Sequence, residues 1–201
     1  MNSARTETVR TFIAIELPAE LKKEIASVQQ RLRPYFSRAR VSWVKSENIH
    51  LTLRFIGDVP SARIGELIRS CEDVKLKPSF GMHLNTIGFF PGVRKPKVLW
   101  CGYENSEALN AVQRLVEETI VKLEFSPEEK AFVPHLTMAR IKEIGFKPAG
   151  PFYVDMTALE TEIKNIPLSV RHTVCEISLI KSVLSPKGSE YTTLHTWPLK
   201  N

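Results

Sequence analysis

The sequence has few cysteines and no long apolar run, and each shortage excludes a kind of protein. Its 201 residues hold three scattered cysteines, which form no CxxC: Cys71, Cys101 and Cys175. They predict small buried thiols in a reducing compartment, rather than a disulfide framework or a zinc site. The longest apolar runs, such as FIAI and VLW, are too short to cross a bilayer. The N-terminal MNSARTETVR lacks the apolar segment of a signal peptide, so we expect a cytoplasmic protein that makes no membrane contact.

The composition is that of a folded globular protein, with 43% hydrophobic and 25% charged residues. The length suits one ordinary domain or two small lobes that share a core. A formal net charge of +6 favours a polyanionic partner such as RNA or DNA. Many basic proteins bind no nucleic acid, so the charge alone does not decide the function.

A short motif occurs twice, as HLTLRF at residues 50–55 and HLTMAR at residues 135–140, 85 positions apart. Thirty-five positions before each histidine a strand-like run ends, TFIAI at Ile15 and KVLW at Trp100. A helical pattern follows each run, at residues 18–33 and about 106–123. The chain therefore repeats the order strand, helix, loop and HLT strand.

Further helical patterns occupy residues 61–73 and 157–165, and further strand-like runs occupy residues 80–90, 172–184 and 191–197. Together the elements predict an α+β fold with two lobes of antiparallel sheet, outer helices and a central cleft. The lobes would be related by a pseudo-two-fold axis within one domain, residues 1–201. The alternative is a single domain in which the motif pair is a coincidence.

Each motif places an imidazole beside a hydroxyl, because side chains alternate between the two faces of a strand. His50, Thr52 and Arg54 are expected on one face of the first strand, and His135 and Thr137 on one face of the second. The other face carries apolar residues suited to a core: Leu51, Leu53, Phe55, Leu136 and Met138.

Two histidines and two threonines across a cleft suit the opening of a phosphodiester without a metal ion. One histidine can take a proton from water while the other protonates the departing oxygen. Hydroxyls and a nearby arginine can hold the phosphate oxygens. Zinc usually needs a third protein ligand, and only Glu47 lies within three residues of either histidine, so we expect no metal and no cofactor. The other histidines, His83, His172 and His195, are expected to be structural or solvated.

The chain resembles the 2H phosphoesterase superfamily, named for two His-x-Thr-x motifs. More closely, it resembles the LigT-like RNA 2′,3′-cyclic phosphodiesterases, also called 2′-5′ RNA ligases. The matching segments span nearly the whole chain: FIAIELP (12–18), VSWVKSENIHLTLRFIGDV (41–59), GFFPGVRKPKVLWCG (88–102), FVPHLTMARI (132–141) and SVLSPKGSEYTTL (182–194).

The resemblance implies metal-independent hydrolysis of an RNA 2′,3′-cyclic phosphate end to a 2′-phosphate, with reverse 2′-5′ ligation as a side activity. It implies that His50 donates a proton to the leaving 3′ oxygen and that His135 accepts one from water. Thr52 and Thr137 would bind phosphate oxygens, and Arg140 matches the family's arginine after the second motif. The expected partner is an RNA end, tRNA fragments included, and the expected state is a monomer.

Two arginines near the motifs raise a question of geometry. Strict alternation turns Arg140 away from His135, so Arg140 reaches the phosphate only if the strand ends, twists or bulges after Met138. Arg54 lies an even number of positions after His50, so alternation places both side chains on the same face of the strand. Arg54 is therefore a candidate for a second phosphate or RNA-backbone contact.

Two basic stretches are candidates for binding the RNA strand. Residues 31–45 interleave Arg38 and Arg40 with aromatic rings, which can stack on unpaired bases. The loop at residues 91–97 contributes Arg94, Lys95 and Lys97. Core packing is the preferred interpretation for Phe36 and Trp43, whereas the arginines are either RNA contacts or solvated.

Two other functions remain open on the sequence. One is a non-catalytic module that binds a nucleotide or an RNA end in the same cleft. The other is a phosphodiesterase for a small cyclic nucleotide or an ADP-ribose-derived cyclic phosphate. Because both histidines and both threonines are present, the sequence favours turnover over binding alone.

Overall fold

The fold is built on one antiparallel sheet of nine strands in the part of the chain that the structure describes, residues 7–186 and 188–200 of the computed structural model. The first six residues, on which the expectation about a signal segment partly rests, lie outside it. The strands are β1 Thr8–Glu16, β2 Arg40–Trp43, β3 His50–Pro60, β4 Phe80–Phe90, β5 Val98–Tyr103, β6 His135–Glu143, β7 Val170–Val174, β8 Glu176–Ser185 and β9 Gly188–Pro198.

Four α-helices pack against the sheet: α1 Ala19–Leu32, α2 Ile64–Ser70, α3 Glu107–Lys122 and α4 Met156–Lys164. The two long helices begin where the sequence predicts them. Pro18 precedes α1, and the Ser106 hydroxyl caps α3 by accepting a hydrogen bond from the Leu109 amide at 3.3 Å. Both bury one apolar stripe in the main core, as their 3.6-residue periodicity requires.

The strand order shows the two related halves. It runs β7-β4-β5-β6-β3-β1-β8-β9, and β2 pairs with β6 outside this path. The motif strands β3 and β6 are neighbours at the centre, and each is flanked by the strand that precedes its helix, β1 or β5. The two motif strands share one backbone pair, Leu51 with Leu136. The predicted α+β fold with two pseudo-symmetric lobes is thus confirmed.

The strand-like run at residues 172–184 is not one strand, as predicted, but parts of two. β7 pairs with β4 in one half of the sheet, whereas β8 pairs with β1 in the other. The chain crosses between the halves at Cys175, which is exposed, so the expectation of three buried thiols is wrong for this cysteine. Cys71 and Cys101 are buried as expected.

The helix predicted at residues 61–73 is shorter than expected, because 3₁₀ turns replace its two ends. The turns are Ser61–Arg63 and Glu72–Leu76, and they flank the seven residues of α2. Among the helices of the described residues, none combines the length and the apolar character needed to cross a membrane.

Candidate active site

The single backbone pair between β3 and β6 brings the two motifs together. Leu51 and Leu136 are at most 1% exposed and face the helices, so the residues on either side of each face the opposite way. In antiparallel strands, the residues next to a backbone pair also lie opposite each other. His50 therefore lies opposite Thr137, and Thr52 lies opposite His135. We call the face that carries these four side chains the cleft face.

Both histidine rings are oriented by a backbone carbonyl two residues earlier in the chain. His50 Nδ1 lies 2.8 Å from the Asn48 carbonyl oxygen, and His135 Nδ1 lies 2.7 Å from that of Val133. A carbonyl can only accept, so Nδ1 carries the hydrogen in each ring. In the neutral ring, Nε2 is then free to accept a proton, and in the charged ring it can donate one.

The two imidazoles differ in how strongly their surroundings oppose a positive charge. The pKa of His50 is lowered to about 4, mainly by burial. The Asn48 carbonyl and Glu16 oppose this lowering, and Lys22 and His135 contribute to it. Burial also lowers the pKa of His135, against the effect of its carbonyl partner, and the Arg140 guanidinium adds to the lowering.

Aromatic rings surround each histidine, and the residue-by-residue interpretation of the sequence assigned them no role. Phe12 stacks on His50 with 4.7 Å between ring centroids, and Tyr191 meets His50 edge-on at 5.2 Å. Phe90 meets His135 edge-on at 4.9 Å and stacks on Trp100 at 4.9 Å. They come from four different strands, so no local pattern joins them to the motifs.

A β-bulge brings Arg140 to the cleft face. Trp100 pairs with Thr137 but Leu99 pairs with Ala139, which leaves Met138 as an extra residue in β6. Met138 and Ala139 are both fully buried, and Arg140 is exposed and close enough to His135 to lower its pKa. The bulge that the sequence argument required for Arg140 is therefore present.

A second bulge overturns the expectation for Arg54. Ala14 pairs with Thr52 but Ile13 pairs with Arg54, so Leu53 is the extra residue in β3. After Leu53, each side chain lies on the face opposite to the one that strict alternation predicts. Arg54 therefore turns away from His50 into the helix-packed side of the sheet, where it is 6% exposed.

Ion pairs and backbone acceptors hold the Arg54 guanidinium. It lies 2.5 Å from the Glu117 carboxylate on α3 and 3.5 Å from that of Glu128. It also donates hydrogen bonds to the carbonyl oxygens of Phe55 and Ser126. Arg54 thus links the first motif strand to the segment that leads into the second, and its guanidinium is engaged by these protein groups rather than turned towards His50.

The basic residues proposed to bind RNA fall into two groups. Arg38 donates to the carbonyl oxygens of Pro148 at 3.3 Å and Gly150 at 2.6 Å, and Arg40 pairs with Glu143 at 3.2 Å. Arg94, Lys95 and Lys97 are exposed in the loop that follows Phe90 of the cleft. Arg38 and Arg40 are thus engaged by protein groups, whereas the loop cations stand in the exposed segment next to Phe90.

The aromatic residues of the first basic stretch pack in the core or at its margin, as predicted from the sequence. Phe36 is 3% exposed, and Trp43 is partly buried with its ring edge-on to Phe36 at 5.8 Å. Tyr35 donates a hydrogen bond to Glu162 at 3.3 Å. These rings contribute to the core and its margin rather than to an open stacking surface.

The three remaining histidines have partners within the protein. His83 contacts Glu104 and Ser169, each at 2.9 Å, and His172 lies 3.0 Å from the Tyr103 hydroxyl. His195 packs against Trp197. Within residues 7–186 and 188–200, no three or more His, Cys, Asp or Glu side chains are grouped so as to hold a metal ion.

Two histidine–threonine pairs around one point of an antiparallel sheet define a two-histidine phosphoesterase. The family model described as LigT like Phosphoesterase matches residues 15–100 and 103–190. The chain belongs to this family, and the resemblance seen in the sequence is confirmed.

Named relatives share most of their length with this chain. A Methanothermobacter thermautotrophicus protein named RNA 2′,3′-cyclic phosphodiesterase is 33% identical over 95% of this chain and 99% of its own length. A Thermotoga maritima protein of the same name is also 33% identical, over 93% of this chain and 94% of its own.

Solved structures share the fold. A Thermus thermophilus protein has a TM-score of 0.78 at 24% identity and covers 96% of this chain and 98% of its own. Escherichia coli LigT complexed with 3′-AMP has a TM-score of 0.74 at 24% identity and covers 97% of this chain and all of its own. At these identities the likeness concerns the fold alone.

Proposed function

We propose that this protein is an RNA 2′,3′-cyclic phosphodiesterase that converts the cyclic end to a 2′-phosphate without a metal ion. The observation that carries the proposal is the pair of histidines on the cleft face, each with Nδ1 engaged by a carbonyl and Nε2 free. The names of the relatives that match over nearly the whole chain support the choice of substrate.

In the proposed reaction, a water oxygen attacks phosphorus in line with the 3′ oxygen, and the bond from phosphorus to that oxygen breaks. His135 Nε2 takes the proton from the water, and His50 Nε2 gives a proton to the departing 3′ oxygen. The Thr52 and Thr137 hydroxyls donate hydrogen bonds to the two non-bridging oxygens, and Arg140 balances the charge that develops on them.

The surroundings of His135 suit its assigned role, whereas those of His50 oppose a positive charge until the substrate binds. The Arg140 guanidinium helps to hold the pKa of His135 low, which keeps its Nε2 free to act as a base. His50 must carry a proton as the acid, although burial lowers its pKa to about 4. The bound anionic phosphate supplies the missing favourable charge, so His50 gains its proton as the substrate binds.

The remaining expectations belong to the same proposal. The substrate is an RNA end, tRNA fragments included, with Arg94 and Lys95 beside its path. The whole chain acts as one unit, because each lobe supplies one histidine. The proposal further includes a cytoplasmic monomer and reverse 2′-5′ ligation as a side activity.

A short RNA with a 2′,3′-cyclic phosphate end, incubated with the protein in EDTA, tests the proposal. We expect a 2′-phosphate product, with loss of turnover in both His50→Ala and His135→Ala. A 3′-phosphate product would contradict the assigned leaving oxygen. Binding of the RNA end without conversion would instead support a binding module.

A further inference from the structure

The two motif histidines have different partners on the neighbouring strands. His50 of β3 pairs with Glu16 of β1, whereas His135 of β6 pairs with Gly102 of β5. Residues that are paired across antiparallel strands present their side chains on the same face, with Cβ atoms about 5 Å apart. The first lobe therefore sets a carboxylate beside its histidine, and the second lobe has no side chain at that place.

Two further observations place the Glu16 carboxylate on the cleft face. Phe12 of the same strand lies an even number of positions from Glu16, and its ring stacks on His50. The Thr193 hydroxyl on β9 donates a hydrogen bond to Glu16 Oε1 at 3.0 Å. Because Glu16 is exposed, this hydrogen bond rather than burial holds the carboxylate in place.

The titratable groups around His50 come from four elements. Burial is the main cause of its low pKa, and Lys22 of α1 and His135 of β6 contribute to the lowering. Glu16 of β1 and a backbone carbonyl oppose it. Tyr191 of β9 meets the imidazole edge-on at 5.2 Å. The Glu16 carboxylate therefore offsets the positive charge of Lys22 beside this histidine.

The charges beside the two histidines match the two roles in acid–base catalysis. A neighbouring negative charge favours the protonated imidazole, which is the form that a general acid needs. A neighbouring positive charge favours the neutral imidazole, which is the form that a general base needs. Glu16 is paired with His50, and Arg140 is close enough to His135 to lower its pKa. The charge difference between the lobes thus distinguishes two histidines whose motifs are nearly identical.

We propose that Glu16 is a positioning residue that keeps His50 protonated for its role as the general acid, with Thr193 holding the carboxylate. The inference rests on the proposed function and gives a role to a residue outside both motifs. Glu16 acts through His50 rather than on the reacting atoms. Its charge adds to that of the bound phosphate, so His50 keeps its proton to a higher pH than it would beside a neutral side chain.

The test compares two RNA substrates that differ in the leaving atom. Both end in a 2′,3′-cyclic phosphate, and one has sulfur in place of the 3′ oxygen. A thiolate departs without a proton far more readily than an alkoxide, because a thiol is much the stronger acid, so the sulfur substrate bypasses the general acid. We expect Glu16→Gln to lower kcat on the oxygen substrate by roughly tenfold at pH 8 and to leave kcat on the sulfur substrate near that of the wild type.

The pH dependence of kcat on the oxygen substrate is the second readout. The high-pH limb reports loss of the proton from the acid, so it should move to lower pH in Glu16→Gln. Glu16→Asp keeps the charge and should retain most of the wild-type rate. His50→Ala should show the same substrate pattern as Glu16→Gln, with a larger loss on the oxygen substrate.

Glu20→Gln is the matched control, because Glu20 is exposed in the first turn of α1 and the substitution removes the same charge. It should match the wild type on both substrates. Equal losses on both substrates in Glu16→Gln, or a high-pH limb that does not move, would overturn the inference and leave the proposed function intact. Turnover of neither substrate by the wild type would overturn the proposed function, and the role of Glu16 with it.

Discussion

Leu53 and Met138 are each the extra residue of a β-bulge, and they lie 85 positions apart, the same separation as His50 and His135. The internal repeat therefore extends to the irregularities of the two strands. In both strands the residue after the bulge, Arg54 or Ala139, turns into the protein. A bulge re-aims the side chains beyond it, and here it brings one further residue per lobe to the cleft.

Arg140→Ala tests whether the second bulge places a working cation in the cleft. We expect kcat/KM to fall by about 100- to 1000-fold, the usual cost of losing one donor that stabilises a developing charge. The substitution also removes one of the influences that lower the pKa of His135. The limb of the pH–rate profile that reports deprotonation of His135 should therefore move to higher pH.

Arg140→Lys is the control for this shift, because it keeps the charge but loses the two-pronged contact with the phosphate. The kcat/KM of Arg140→Lys should fall, while the limb of its pH–rate profile that reports His135 stays near the wild-type position. An unmoved limb in Arg140→Ala would show that Arg140 does not influence His135 in solution.

His50 should make the fold sensitive to mild acid. In the unfolded chain its pKa is near the ordinary 6.5, and in the folded protein burial lowers it to about 4. Between these values the unfolded chain binds more protons, so stability falls as the pH falls from 6.5 towards 4. The full effect is of the order of 3 kcal/mol.

Urea unfolding at pH 7 and pH 4.5 measures this loss. We expect His50→Gln to lose less stability over that range than the wild type does, because glutamine does not titrate. Thr52→Val, a neighbour on the same face, is the control and should match the wild type. Equal losses in His50→Gln and the wild type would contradict the depressed pKa.

The repeat and the helices could be predicted from the sequence because local signals define them. Identical HLT triplets set the register of the lobes, and a 3.6-residue apolar period marks α1 and α3. The bulge at Leu53 was not predictable, since leucine is an ordinary apolar residue, and the bulge at Met138 entered only as one condition for Arg140 to reach the phosphate. Alternation arguments hold only as far as a strand stays regular, and the bulge at Leu53 is why they placed Arg54 on the wrong face.

Contacts made by distant parts of the chain were the other source of error. Arg54 meets Glu117 and Glu128, more than 60 positions away, and neither carboxylate carries a sign of its partner in the sequence. The rings beside His50 likewise come from β1 and β9, at opposite ends of the chain. Only the assembled sheet places them together.

Arg54→Met should destabilise the fold rather than impair binding. The change leaves the Glu117 carboxylate without its cation in a mostly buried position, which costs about 3 kcal/mol. The double variant Arg54→Met, Glu117→Met should recover much of this loss, because it removes both charges. Urea midpoints measure the stabilities. A large loss of RNA affinity in well-folded Arg54→Met would show that the guanidinium serves the substrate after all.

The loop cations should contribute to the salt dependence of RNA binding. If Arg94 and Lys95 contact phosphates, replacing both with Gln should make the slope of log K against log salt shallower by about 1.4. Arg38→Gln is the control, because its guanidinium is already engaged by the Pro148 and Gly150 carbonyl oxygens. Unchanged slopes in both variants would place the RNA path away from this loop.

Gly88 and Gly102 should be intolerant of a side chain, because Trp100 lies across both. A Cβ atom at either position would lie 2.5 Å from the indole ring. Gly102→Ala should therefore cost about 1–3 kcal/mol of stability through overpacking. It should also slow turnover, because Trp100 supports Phe90, which contacts His135.

Gly81→Ala, in the same strand as Gly88, is the matched control, because no atom lies within 4 Å of its added Cβ. Its stability and kcat/KM should stay close to those of the wild type. Adding Trp100→Leu to Gly102→Ala should restore stability, since the smaller side chain vacates the space that the new methyl group needs. If Gly102→Ala were as stable and as active as Gly81→Ala, Trp100 would have room to move, and the contact from Trp100 through Phe90 would not be what holds His135 in place.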